Sequence, residues 1–250
     1  MSLKIVIPAR FDSSRLPGKP LLPLLDKPLV VHVFDRCLEA GIDSSNIFVA
    51  TDDQRIFDIL ENLGVQVVFT SNTHVSGTDR INEVAQIKGW SDDTIILNIQ
   101  GDEPLIPPRL IQELIAFTKF NANFDITTAV VPIHTNDDFI NPNLVKAVLG
   151  HNGRALNFTR SASPINRDNP SDLSLARRHI GIYCYRVSVL RHFCSYPESS
   201  LENFEKLEQL RALSNGMSVG AILFDGLVNH GIDTYDEYIK IKKIIEERLY

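Results

Sequence analysis

Positive charge is what this chain lacks overall: 25 Lys and Arg stand against 31 Asp and Glu, a formal net charge of −6. That balance argues against a sequence-independent binder of nucleic-acid polymers, which needs a broad basic face. Cysteine is scarce as well. Cys37, Cys184 and Cys194 form no CxxC pair, which argues against a disulfide framework and a zinc site and leaves reduced thiols as the expectation. No stretch approaches the ~18 apolar residues of a membrane span, and the N-terminal residues carry no signal-peptide core. The expectation is therefore a cytoplasmic protein with no membrane partner. A Walker A loop, a GxGxxG fingerprint, an internal repeat and a low-complexity linker are all missing too. What remains is the composition of an ordinary soluble α/β protein: 250 residues, 44% hydrophobic and 22% charged. That length suits one large domain, or a domain with an appended subdomain.

Short apolar runs alternate with amphipathic stretches through the first half. Residues 3–7, 46–51, 65–69 and 94–99 read as strands, and 28–40, 53–63 and 79–88 as helices. The strands are nearly continuous apolar runs, as expected when helices cover both faces of a parallel sheet. The fold class is α/β, a doubly wound and mostly parallel sheet. The second half adds strands at 125–133, 144–150, 155–160, 179–186 and 218–224. Asn152-Gly153 predicts a hairpin between two of them. Helices are expected near 200–214 and 234–249, each opened by a capping box, Ser199/Glu202 and Thr234/Glu237. Leu201, Phe204, Leu207, Leu210 and Leu213 would form the apolar face of the first. The polar stretch 161–178 reads as a long loop.

Chemistry concentrates beyond the carboxyl ends of strands, where open α/β sheets bind ligands. After the first strand come Arg10, Arg15 and Lys19, with Pro17-Gly18 as a tight turn. Read alone, they fit a solvated basic loop or a cradle for a polyphosphate. After the fourth strand comes Gln100-Gly101-Asp102-Glu103-Pro104. Asp102 is either part of a turn or a carboxylate that holds Mg²⁺ against phosphates. Asp233 opens the last helix, where an acid also suits the helix dipole. A shared metal would require Asp102 and Asp233 to converge across the chain. Ser76-Gly77-Thr78 either offers backbone N–H groups or merely starts a helix. His179, Tyr183, Glu208 and Gln209 are open to structural readings as well.

The ordered set IPAR…SRLPGKPL, ATD (50–52), SGTDR (76–80), NIQGDEP (98–104), VPI (131–133), RHIGIY (178–183), LEQLRAL (207–213) and GIDT (231–234) resembles the 3-deoxy-manno-octulosonate cytidylyltransferases, the CMP-KDO synthetases. The resemblance runs from the first strand to the last helix. It implies a Rossmann-like nucleotidyltransferase domain over 1–250. About 1–124 would bind CTP, and about 125–250 would bind the sugar and form a homodimer. It also implies that a KDO-type sugar acid attacks the α-phosphorus of CTP, giving CMP-sugar and diphosphate for lipopolysaccharide biosynthesis. By the same resemblance Arg10 and Lys19 hold the triphosphate beside Ser13. Ser76, Gly77 and Thr78 read cytosine with Ala9. Asp102 and Asp233 coordinate Mg²⁺. Arg15 faces the phosphate and sugar side, Gln100 contacts the sugar, and Arg160, His179, Tyr183, Glu208 and Gln209 form the sugar-acid pocket. Arg10, Lys19, Asp102 and Asp233 would then be the catalytic set.

Some stretches depart from the family pattern. Ser161 to Asp168 lacks the usual Ile and Trp, and Val228-Asn229-His230-Gly231 replaces a PGTG segment. Both lie in regions that the resemblance assigns near the sugar or a subunit contact. They motivate an alternative substrate, 8-amino-3,8-dideoxy-manno-octulosonate, with Ser163, Asn166 or His230 as acceptors for its ammonium. Two competing classes are a metal-dependent glycosyltransferase and a non-catalytic nucleotide-binding regulator. The first normally needs no basic loop after strand one. The second needs no metal-activated hydroxyl.

Overall fold

The computed structural model describes residues 2–12, 15–74 and 76–247. The chain forms two compact units, Met1–Gln112 with Leu227–Tyr250, and Glu113–Gly226. These units do not coincide with a cut near residue 124, because the C-terminal segment that carries Asp233 belongs with the first.

In the first unit, β1 (Leu3–Pro8) leads through a short 3-10 turn (Lys19–Leu21) to a small ribbon, β2 (Pro23–Leu24) and β3 (Lys27–Pro28). There follow α1 (Leu29–Glu39), β4 (Ile47–Thr51), α2 (Gln54–Asn62), β5 (Gln66–Phe69), α3 (Gly77–Ile87) and β6 (Ile95–Asn98). The Asp53 and Ser76 side chains cap α2 and α3 by accepting from Arg55 N and Asp79 N. The strands lie in the order β6-β1-β4-β5, every neighbour parallel, with Ile5 opposite both Leu97 and Ile47. β4 and β6 are buried along their whole length, so both faces of this sheet are covered. Ile5, Ile7, Ile47, Val49, Ile96 and Leu97 are fully buried. Each such side chain contributes about 1.5–3 kcal/mol through burial. This is the Rossmann-like architecture expected from the sequence, and its topological switch point lies between β1 and β6.

The helix α4 (Pro108–Phe120) begins in the first unit and ends in the second. The second unit continues with β7 (Ile126–Pro132), α5 (Asn136–Ile140), β8 (Lys146–Leu149), β9 (Ala155–Thr159) and β10 (Arg177–Arg186). It is completed by α6 (Val187–Ser195), α7 (Ser200–Glu205), α8 (Gln209–Ser214) and β11 (Val219–Leu223). Pairing here is mixed: β11 runs parallel to β7, and β10 runs antiparallel to β7 and β8. The β8–β9 hairpin turns through Asn152 and Gly153, both at positive φ, as the Asn-Gly pair predicts. The chain then returns to the first unit with α9 (Tyr235–Glu247).

The single helix expected over 200–214 is two. Lys206 adopts φ 53, which ends α7, and α8 restarts at Gln209. Consequently Leu207 and Leu210 are buried, whereas Leu201 and Phe204 are exposed, at 55% and 88%. Both predicted capping boxes are present. Among the described residues, no helix is long and apolar enough to cross a membrane.

Candidate active site

A concave pocket of about 320 Å³ opens at the switch point, lined by Pro8, Ala9, Arg10, Asp12, Arg15, Lys19, Pro20, Gly77, Gln100, Gly101 and Asp102. All belong to the first unit. The loops after β1 and β6 supply most of this lining, and α3 supplies its first residue. Two local features allow the approach. Gly18 takes φ 70, so its N–H bonds Phe11 O at 2.9 Å and the loop turns back toward the sheet. At Gly101 a Cβ would stand 2.7 Å from Pro8 O, so only glycine lets the β6 turn lie against the end of β1.

Lys19 is the centre of this site. Its Nζ donates to Asp102 Oδ2 at 2.6 Å and to Asp233 Oδ1 at 3.1 Å. Arg15 Nη2 meets the other Asp233 oxygen at 3.0 Å. A backbone bond from Ile232 N to Asp102 O, 2.9 Å, stitches the two acidic segments together. The convergence of Asp102 and Asp233 that sequence spacing left open is therefore real. Burial works against the charge on Lys19. Asp102 and then Asp233 more than offset it, so its pKa lies above the ordinary lysine value.

Two hard oxygen donors on facing loops suit Mg²⁺, which keeps waters and takes phosphate oxygens in its remaining positions. Among the described residues no cluster of three or more His, Cys, Asp or Glu could cage a metal. The donor set thus fits an ion shared with a polyphosphate better than a resident structural metal.

The remaining predicted residues divide. Ala9 and Gln100 line the pocket. Gly77 lines it, whereas Ser76 spends its Oγ on Asp79 as the helix cap, and Thr78 is buried behind it. Ser13 lies outside the described residues. Asp12 and Pro20 line the pocket without having been singled out in the sequence, where nothing distinguishes them from ordinary loop residues.

In the second unit, His179, Tyr183 and Gln209 come together. A bulge in β10 between Ile180 and Tyr183 bends the strand, and the two rings sit 5.4 Å apart. Tyr183 donates to Gln209 Oε1 at 3.1 Å. Burial, reinforced by Glu208, pushes the Tyr183 phenol well above its usual value. His179 Nε2 lies 2.9 Å from Thr128 Oγ1, whose hydroxyl also reaches the carbonyls of Ile180 and Ile182, at 3.1 and 2.7 Å. When the Thr128 proton goes to one of those carbonyls, Nε2 carries the ring proton and Nδ1 is left as an acceptor. Thr128 escaped sequence reading. Arg160 bonds backbone carbonyls rather than the rings. It donates to the carbonyls of Glu205 (2.6 Å), Pro142 (2.9 Å) and Lys206 (3.4 Å). Those bonds use three of its five N–H donors. Asn166 is spent within its own loop, donating to Asp172 and accepting from Asp168 N and Asn169 N.

Burial pushes the His179 imidazole down to about 3. It is therefore neutral throughout the range around pH 7. The expected result is no ring titration of His179 by NMR between pH 5 and 8; a midpoint near 6.5 would contradict the buried tautomer. The unfolded chain binds this proton below 6.5 and the folded chain does not until near 3. This group therefore lowers stability as pH falls through that window, by at most about 1.4 kcal/mol per pH unit.

Comparison with known proteins bears on this geometry. Residues 4–219 match a family model described as "Cytidylyltransferase". The chain is similar to the 3-deoxy-manno-octulosonate cytidylyltransferase of Acinetobacter baumannii (strain SDF), 45% identical over 236 residues and 92% of each chain. It is 41% identical to the protein of that name from Cellvibrio japonicus, over 98% of this chain and 99% of that one. It is also similar to the solved structure of CMP:2-keto-3-deoxy-manno-octonic acid synthetase complexed with CTP. There the TM-score is 0.91 and the identity 36%, over 99% of this chain and 100% of the other.

Proposed function

This chain belongs to the 3-deoxy-manno-octulosonate cytidylyltransferase family, and from that premise we propose how its residues share the reaction. The protein is a nucleotidyltransferase that joins the cytidylyl group of CTP to a KDO-type sugar acid and releases diphosphate. Arg10 and Lys19 neutralise the triphosphate, and Lys19 follows the charge that develops on the leaving diphosphate. Asp102 and Asp233 would hold Mg²⁺, which would supply Lewis-acid activation of the attacking hydroxyl and charge screening. Ala9 and Gly77 bound the base side of the pocket. Gln100 faces the sugar side, and Arg15 the phosphate and sugar side. His179 Nδ1 accepts from a sugar hydroxyl, Tyr183 and Gln209 hold the ring's neighbours, and the donors left on Arg160 take the carboxylate. No covalent enzyme intermediate is needed, because positioning and charge carry the step.

The observation that carries this reading is the Lys19 ammonium between Asp102 and Asp233 at the switch point. With CTP, KDO and Mg²⁺, the purified protein is expected to release diphosphate and CMP-sugar in equal amounts. No release under those conditions would overturn the reading. Because Asn166 is spent in its loop, only Ser163 and His230 still support a preference for the 8-amino sugar. A higher kcat/KM for plain KDO removes that preference.

The protein acts as a homodimer through its second unit, where Phe120, Phe204 and Leu201 are exposed apolar residues. Sedimentation that finds only monomer would refute this. We place it in the cytoplasm, with its CTP. Cys37, Cys184 and Cys194 form no disulfide among the described residues, and burial pushes the first two thiols up to about 12.

A further inference from the structure

Arg80 and Asp52 lie outside the assigned site, yet they form an ion pair with no solvent exposure on the arginine side. Arg80 Nη2 donates to Asp52 Oδ2 at 2.6 Å, and Nη1 to Thr70 Oγ1 at 2.5 Å. The Thr70 hydroxyl passes its own proton to Thr51 O at 3.1 Å, and Thr70 N bonds the same carbonyl at 2.8 Å. One guanidinium thus binds the residues just past β4 and β5 to the first turn of α3. The neighbouring strand joins the same assembly, since Ala9 N donates to Ala50 O at 2.8 Å.

As a stability device this is poor. A buried ion pair is often matched or bettered by apolar side chains of similar volume. Arg80 Nε has no hydrogen-bond acceptor among the described residues, which adds a desolvation cost. What a forked, charge-assisted contact supplies is fixed geometry. The geometry fixed here is the start of α3 against the ends of two strands. Gly77, the first residue of that helix, lines the pocket, and a Cβ there would lie 3.4 Å from Pro8.

We propose that Arg80, through Asp52 and Thr70, is a positioning residue that sets the base-side wall of the nucleotide pocket and hence its selectivity for cytosine. It touches no substrate. The inference rests on the reading that Gly77 and Ala9 face the base. Lys19, Asp102 and Asp233 act elsewhere in the pocket, so loss of the clamp is expected to spare the chemical step.

The test compares CTP and UTP kinetics in the full-length enzyme and in Arg80→Met/Asp52→Asn, which removes both charges together. A misplacement of the wall is expected to raise KM for CTP about tenfold or more and to shrink the CTP:UTP ratio of kcat/KM, with kcat changed less than about threefold. Arg80→Lys, which keeps charge without the fork, should fall between. Thr70→Val should shift KM in the same direction by a few-fold, and it decides the matter if the double variant does not fold. Native KM and native CTP:UTP discrimination in a folded variant would overturn the proposal. So would a fall in kcat equal to the fall in kcat/KM. A wild-type enzyme without preference for CTP would instead remove the reading of the base side.

Discussion

Asp102→Asn is expected to lower kcat/KM for CTP and sugar acid about a thousandfold while the protein stays folded. The substitution is close to isosteric, and one amide oxygen can still accept from Lys19. On the proposed metal role, it removes half of the charge that would hold Mg²⁺. A carboxylate-bound ion and its screening of the α-phosphorus are worth several kcal/mol in the transition state. The ion pair with Lys19 is worth far less. Both side chains are partly exposed, at 13% and 27%, so its loss should cost about 1 kcal/mol. For a protein of this size that shifts Tm by about 2–4 °C. Asp233→Asn should act in the same direction. Diphosphate release at saturating Mg²⁺, measured beside a melting curve, separates the two effects. Activity within tenfold of wild type would remove Asp102 from the metal site, and a collapsed melting curve would make its role structural.

Much of this site is legible in the sequence because it is built from strand ends. An apolar run that stops at Pro8, or at Asn98 before Gln100 and Gly101, announces where the sheet ends, and the polar residues that follow are delivered to one edge. The Asn152-Gly153 hairpin is legible for a local reason, since both residues tolerate positive φ. Other features depend on partners distant in the chain. Lys206 breaks the helix over 200–214, although lysine favours helix. The Glu205 and Lys206 carbonyls are instead drawn to Arg160. The α4 and α6 helices go unassigned by periodicity, although Pro108 opens α4 as a first-turn proline should. The meeting of Asp233 with Asp102 is held by Lys19 and by a backbone bond from Ile232, neither of which a spacing rule predicts. Arg80 in SGTDR and Asp52 in ATD are visible as motif residues, but their pairing needs the strand order. The contact of His179 with Thr128 on β7 depends on the sheet register, and a lone histidine in a strand gives no sign of it.

Lys19→Met is expected to move two readouts in opposite directions. Turnover should fall about a hundred- to a thousandfold, because the leaving diphosphate loses its nearest cation. Divalent-ion affinity in the absence of nucleotide should rise. In the native protein the ammonium lies within 3.1 Å of one oxygen from each carboxylate, and it competes with any ion that uses them. The pKa of Lys19 is raised, so this competitor is charged throughout the neutral range and is lost only above the ordinary lysine value. Once it is gone, two carboxylates that both lay within 3.1 Å of the ammonium are left to repel each other, by about 3 kcal/mol at an effective dielectric near 20. A divalent ion relieves that repulsion. Calorimetry with Mg²⁺ or Mn²⁺ alone should therefore show affinity at least about tenfold tighter than wild type. Added Mg²⁺ should raise Tm more in the variant than in the native enzyme. An unchanged affinity would mean that Lys19 and the ion use different oxygens. Near-normal turnover would mean that Arg10 and Arg15 suffice to hold the triphosphate.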